Sequence, residues 1–320
     1  MSRYGLDRLR SLNEMVNGAP QATRSFIDRV RHATRRDVTD WMFKGFVAVM
    51  LAIAVAPFFM LVAEVASIGL EDLLGSGPGQ GIQLLTTYPG VGLQGGILNA
   101  IIGTSVLVPV AAMVGIPLSV LGAVYINEYS PPGRVRQIVE FAADVLAGIP
   151  SIVFGAFGFT FIVFYLNMGM GVIAGGLTLG FMMIPTVLRT TQEALKQVPM
   201  SLREASLALG ATKWTTTWKV TIRAAFPGII TGILLAVGRI MGETAPLIFT
   251  AGNNLGAPTS LFGPGSWVAS MPFTIWAYIS DPRPYLQVRA HSTALVLLLM
   301  VLAVDVAANY ASRKITRRLV

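Results

Sequence analysis

The stretch REASLALGATKWTTTWKVTIRAAFPG, Arg203 to Gly228, is a polar, basic, helix-forming block set between two long apolar runs. Just upstream, Pro199 is followed by Ser201, with Glu204 three residues later, which is the spacing of a capping box. Leu202, Ala205, Ala208 and Leu209 fall toward one side of the helix that would follow. Gly210 offers a left-handed stop that needs no Cβ. A second basic helix, TKWTTTWKVTIRAAF, leads to Pro227. The spacing therefore predicts a short helix presented sideways, with small and apolar residues in need of cover. Two readings of that cover stay open: the protein's own helices, or a partner.

The flanking runs set the class. Of the 320 residues only 12% are charged, about half the share usual in soluble domains. Several apolar runs are long enough to cross a hydrocarbon core about 30 Å thick. Six spans are predicted, over residues 42–67, 97–125, 138–166, 169–189, 224–251 and 290–311, with the polar segment 190–223 before the fifth. The third is the least regular, because Glu140 and Asp144 sit at its start, so it is expected to enter the membrane only near Val145. Pro57, Pro109, Pro117, Pro150, Pro185 and Pro246 lie within these spans. They argue against helix less strongly than in water, since neighbouring helices re-satisfy the freed backbone groups. The expected fold class is all-α, a polytopic membrane protein. Residues 1–40 form a basic N-terminal arm, amphipathic in SFIDRVRHATRRDVTDW, and residues 41–320 the membrane domain. The first run begins too late and runs too long for a cleaved signal.

Charge gives the orientation. All but three of the 24 Lys and Arg fall in the arm, in the segments after the second and fourth predicted spans, or in the C-terminal tail. The exceptions are Arg239, Arg283 and Arg289. By the positive-inside bias both termini are cytoplasmic, as an even number of spans requires. Residues 68–96 carry no Lys or Arg, and 252–289 are rich in Gly, Pro and aromatics. Trp267, Phe273, Trp276 and Tyr278 are placed there for a membrane interface, or for docking something outside. The net charge of +8 is then explained by topology and lipid contact. No basic stripe interleaves with stacking aromatics, so no nucleic-acid partner is expected. There is no cysteine, and the two histidines, His32 and His291, stand apart, so no metal site is expected. No G-x-x-x-x-G-K-[ST] loop is present, which leaves nucleotide hydrolysis to another chain.

Arg239 lies well inside the fifth predicted span, where a charge costs at least ~2.5–3.5 kcal/mol and is a functional candidate by default. Glu243 follows four residues on, on the same helix face. Pairing with Glu243 would make burial tolerable whether or not anything passes. Thr244 offers a hydroxyl, either to something passing or back to its own helix, and Arg189, at the inner end of the fourth span, is long enough to reach to the interface.

Glu204, Ala205 and Ser206, then Gly210, Ile222 and Pro227, resemble the EAA loop of ABC-importer permeases. Ser206 replaces the second Ala, and Phe226 stands where Leu is usual. The resemblance implies a type I ABC-importer permease fold. Its coupling helix, carrying Glu204, Ala205, Ser206 and Gly210, would dock in a groove of a cytoplasmic ATPase. The stretches GIPLSVLGAVYINEYSPP (115–132), LAGIPSIVFGAFGF (146–159), LRTTQEALKQVPMSLREASLALGAT (188–212), GRIMGETAPLIFTAG (238–252) and SMPFTIWAYISDP (270–282) are similar to the phosphate-importer permeases within that family. This implies a substrate pathway using Arg189, Arg239 and Glu243, with Thr244 beside them. Guanidinium suits phosphate because its planar fork bonds two oxygens at once. The implied partners are a homologous PstC-like permease, a PstB-like ATPase dimer that binds ATP and Mg, and an extracytoplasmic PstS-like phosphate-binding protein. The implied location is the cytoplasmic (inner) membrane of a bacterium or archaeon. The rival expectations are a permease for sulfate, molybdate or phosphonate, and a self-sufficient secondary transporter or channel.

Overall fold

The computed structural model describes residues 21–75, 80–263 and 265–319. Two compact units are distinguished, Met1–Glu64 and Val65–Val320. In the first, the described part is helical. It belongs to α1, Gln21–Leu74, which runs without interruption through Pro57. Its stretch from Thr39 to Leu74 is long and apolar enough to cross a membrane. Trp41, Phe46, Ile53, Phe58 and Leu61 all stand exposed, as side chains solvated by lipid tails would. The part of the expected arm before Gln21 lies outside the described residues.

The second unit contains α2 (Ile82–Thr86), α3 (Leu98–Val124), α4 (Arg134–Gly148), α5 (Ser151–Gly158), α6 (Val172–Lys196), α7 (Met200–Ala208), α8 (Lys213–Thr216), α9 (Ile222–Met241), α10 (Ala245–Thr250), α11 (Met271–Ile279) and α12 (Pro284–Leu319). Wider π-type turns extend α3 to Tyr129, extend α5 to Tyr165, and join α8 to α9. Among the described residues there is helix and no named strand. Among the described residues five stretches are long and apolar enough to be membrane spans, and the α4–α5 pair makes a sixth if counted as one bent span.

The core is built where α3, α6, α9 and α10 meet. Leu107, Ala111, Leu179, Met183, Ala236, Ile240 and Leu247 are buried together there. Small residues set the spacing: a Cβ on Gly115 of α3 would lie 2.7 Å from the carbonyl oxygen of Gly180 in α6. In a membrane, such close approach supplies van der Waals contact that lipid cannot match.

Prolines sort by place. Pro57, Pro109, Pro117, Pro185 and Pro227 sit inside helices. Pro150 and Pro246 do not continue theirs, contrary to expectation. The third span is not straight: α4 and α5 meet at 102°. Ile149, immediately before Pro150, is extended (φ −72°, ψ 132°), the conformation that a following proline favours. The amphipathic α4 explains the acids at its start. Val135, Ile138, Phe141 and Val145 are exposed on one face, while Ala143 is buried on the other. The fifth span is likewise broken, since helix ends at Met241 and resumes at Ala245, with Pro246 in the first turn where its missing N–H is harmless.

Candidate functional site

The polar block folds into α7 and α8, with one correction to the sequence reading. Pro199, not Ser201, is the N-cap of α7, and no side chain caps the helix. The helix begins at Met200, so Ser201 is already inside its first turn and cannot close a capping box. The stop is as expected. Gly210 has φ +82°, its N–H bonds to the carbonyl of Leu207 at 2.9 Å, and that of Ala211 bonds to Ser206 at 3.2 Å. This is a Schellman closure.

α7 buries none of its own residues. Met200, Leu202, Leu207 and Leu209 are exposed, the last at 90%. Glu204 and Ala205 are exposed too. Of the two readings left open, self-packing therefore fails for these side chains. What fixes the helix in place is Arg203. Its Nη1 donates to the carbonyl of Val198 at 2.7 Å, and its Nη2 to that of Leu195 at 2.9 Å. Nη2 and Nε also reach the two oxygens of Glu128, at 2.9 and 3.3 Å. Ser206 adds a hydroxyl contact with Thr216 at 2.9 Å. Glu128 lies in the π-turn after α3, so one guanidinium ties α7 to the ends of α3 and α6. Neither Arg203 nor Glu128 stood out in sequence. The available signal was an acid at the end of the second span, on the side where cations gather.

The second cluster surrounds the break in the fifth span. Gly242 and Glu243 donate back to the carbonyls of Arg239 and Ile240, at 3.1 and 3.2 Å, and close the end of α9. Arg239 Nε lies 3.7 Å from Glu243 Oε1, with the arginine side chain 48% exposed. That separation exceeds a charge-assisted hydrogen bond of about 2.7–2.9 Å, so the guanidinium donors are not committed to the acid. Thr244 is the N-cap residue of α10, but its side chain makes no capping bond. Irregular backbone at membrane depth is tolerated only inside protein or along a watered cavity.

The short α10 packs on α5. A Cβ on Gly155 would lie 2.8 Å from Pro246 Cα and 3.1 Å from the carbonyl oxygen of Ala245. The stretches PSIVFG and GETAPL, 91 residues apart at their Gly155 and Pro246, thus meet as two half-helices.

Arg189 is placed elsewhere. Its Nη2 pairs with Asp144 and donates to the carbonyl of Glu140 at 2.7 Å, and Nη1 reaches Gln192 at 3.4 Å. Nε is buried with no partner. Arg189 therefore holds the polar face of α4. No hydrogen bond or ion pair of the described residues joins it to Arg239 or Glu243.

At the other end of the bundle, Arg289 approaches buried Asp72 at 3.7 Å, and Ser292 donates to the same carboxylate oxygen at 2.5 Å. Trp267 and Trp276 are exposed, as an interfacial or docking surface requires. Tyr278 is not, being packed with Leu84, Ile97 and Leu286. Hydropathy could not show this, because much of the cover on Tyr278 comes from Leu84 of α2 and from Ile97, far back along the chain.

Residues 115–318 match the family described as binding-protein-dependent transport system inner membrane component. The chain is 39% identical over 233 residues to the phosphate transport system permease protein PstA of Xylella fastidiosa strain 9a5c, covering 72% of this chain and 80% of that one. It is 35% identical over 294 residues to the phosphate transport system permease protein PstA 2 of Mycobacterium bovis, covering 88% and 91%. Among solved structures, a chain of the bacterial alginate ABC transporter in complex with an alginate pentasaccharide-bound periplasmic protein superposes with a TM-score of 0.64 at 16% identity. The match covers 88% of this chain and 97% of that one, and the likeness extends to the fold. With the six-span architecture, the exposed α7 and these relatives together, this chain belongs to the binding-protein-dependent transport system inner membrane component family.

Proposed function

We propose that the chain is the permease subunit of an ATP-driven importer that carries inorganic phosphate into the cytoplasm. It works with an ATPase that is a separate subunit and with a substrate-binding protein. The observation that carries the substrate is Arg239, a guanidinium at a helix break within the membrane, held only at 3.7 Å by its acid. In that state its fork is free to take two phosphate oxygens. Glu243 would hold the guanidinium when the path is empty and limit trapping of the anion, since a conducting site must release what it binds. Thr244, whose hydroxyl is not used in capping, adds a donor beside it. Arg189 joins the path as the residue that exchanges Asp144 for the anion. The exposure of Asp144 (64% of its side chain) supports that exchange.

The exposed apolar residues of α7, with Glu204, Ala205, Ser206 and Gly210, are the surface that docks on the ATPase. ATP and Mg are bound by that subunit, and this chain holds no cofactor. The finer partners are a PstC-like permease, a PstB-like ATPase dimer and a PstS-like phosphate-binding protein. Both termini, α7 and α8 face the cytoplasm, a reading supported by the cation distribution. The test is phosphate uptake by Arg239→Gln with assembly of the complex measured separately. An assembled complex with little transport is expected. Normal uptake would remove Arg239 from the path, and lost assembly would assign it to holding the helices.

A further inference from the structure

The last helix, α12, contains one acidic residue, Asp305, within its apolar stretch. Its Oδ1 is buried and has no hydrogen-bond partner. It takes part in none of the ion pairs of the described residues. An acidic side chain at membrane depth with a buried oxygen left unbonded is costly enough to mark a function. The side chain does not face lipid. Leu302, Val304 and Val306 are exposed, whereas Val301 and Asp305 are half-buried on the face toward α9.

Its neighbour there is specific. The carboxylate oxygens lie 3.7 and 3.9 Å from where a Cβ on Gly238 would stand, beside Val301 at 3.8 Å. Gly238 immediately precedes Arg239, whose Cα is about 3.8 Å further along. With no side chain at 238, nothing stands between the α9 backbone and the acid. The Arg239 side chain is half exposed and loosely held, so it can change rotamer quickly.

We propose that Asp305 is a second acceptor for Arg239, alternating with Glu243 as α9 and α12 shift during the transport cycle. This rests on Arg239 lining the anion path, and it adds a positioning residue to that path. Phosphate in the site must displace the guanidinium from both acids. As phosphate leaves, whichever acid is nearer recaptures the cation, so the site empties. Two acids on different helices keep the recapture available in both helix positions.

The two acids substitute for one another, so their removal is strongly non-additive. The test is phosphate uptake at saturating phosphate by assembled complexes carrying Asp305→Asn, Glu243→Gln or both. Each single variant is expected to assemble and to lose about two- to fivefold in rate. The double variant should fall at least tenfold below the product of the two singles. It should also retain radiolabelled phosphate through gel filtration, which the unaltered complex would not. Asp305→Glu should restore the rate to within about twofold. If the double variant equals the product of the singles, or Asp305→Asn changes nothing in either background, the inference is wrong. Failure of Asp305→Asn to assemble would also overturn it, by assigning the carboxylate to holding α12 in place. Arg239→Gln separates the two levels: full transport by that variant sinks the pathway itself, whatever Asp305 does.

Discussion

Replacing Glu128 with Gln tests how movement of the ATPase reaches the spans. Arg203 and Glu128 are 13% and 8% exposed, so the substitution leaves a guanidinium buried beside a neutral amide. Removing one partner of a buried pair costs about 3–5 kcal/mol, because the remaining charge is stranded. Arg203 keeps its bonds to the Leu195 and Val198 carbonyls, which places the cost near the low end. About 3 kcal/mol corresponds to roughly a hundredfold shift of α7 from its anchored to its detached position. The assay is ATP hydrolysis by the purified complex with and without the loaded binding protein. Basal hydrolysis, a property of another subunit, should persist, while the stimulated component falls at least tenfold and phosphate uptake falls with it. Arg203→Lys should behave similarly, since a single ammonium cannot span two carboxylate oxygens and two carbonyls at once. Stimulation within twofold of the unaltered protein in Glu128→Gln would refute the idea that this pair transmits the motion.

Leu209, exposed at the C-terminal cap of α7, should matter for docking and not for folding. Leu209→Asp is expected to cut copurification of the ATPase by about ten- to a hundredfold, the equivalent of burying one leucine, with the melting temperature of the membrane chain unchanged. Gly155→Leu forces a side chain against the Pro246 backbone, so about 1–3 kcal/mol of overpacking should appear as a lower melting temperature in detergent, with uptake reduced in parallel. Asp281 accepts hydrogen bonds from the Arg283 side chain and backbone, which lower its carboxyl to about 2. Because the folded value is depressed, the clasp contributes fully above the unfolded value near 3.9 and is lost as pH falls through about 2. A carboxyl titration at about 2 is expected, moving up toward 3.8 in Arg283→Ala.

Different residues of the site were legible to different degrees. Gly210 was readable because a left-handed stop after a short helix depends on its immediate neighbours alone. The Arg239–Glu243 pair was readable as a pair but not as one helix face: Glu243 lies past Met241, the last residue of α9, and stays near Arg239 because its N–H still bonds back to the Ile240 carbonyl. Ser201 misled because Pro199 starts the helix earlier than a capping box would, and two local signals competed. Pro150 and Pro246 were indistinguishable in sequence from Pro109 and Pro185. What the structure adds is the partner beyond the bend, since α10 packs on α5 at Gly155.

Composition and hydropathy by themselves determined that this chain is a helical membrane protein, roughly where its spans lie, and that a polar helix interrupts them before the fifth. These follow from transfer of side chains between water and hydrocarbon, which is summed residue by residue. Only the tertiary structure decided that the third span bends by 102°, that Arg203 is gripped by an acid 75 positions away, and that Asp305 lies against Gly238. Each of these depends on which helices touch, and contact between helices is set by the fit of small residues across the whole bundle. No local pattern carries that information.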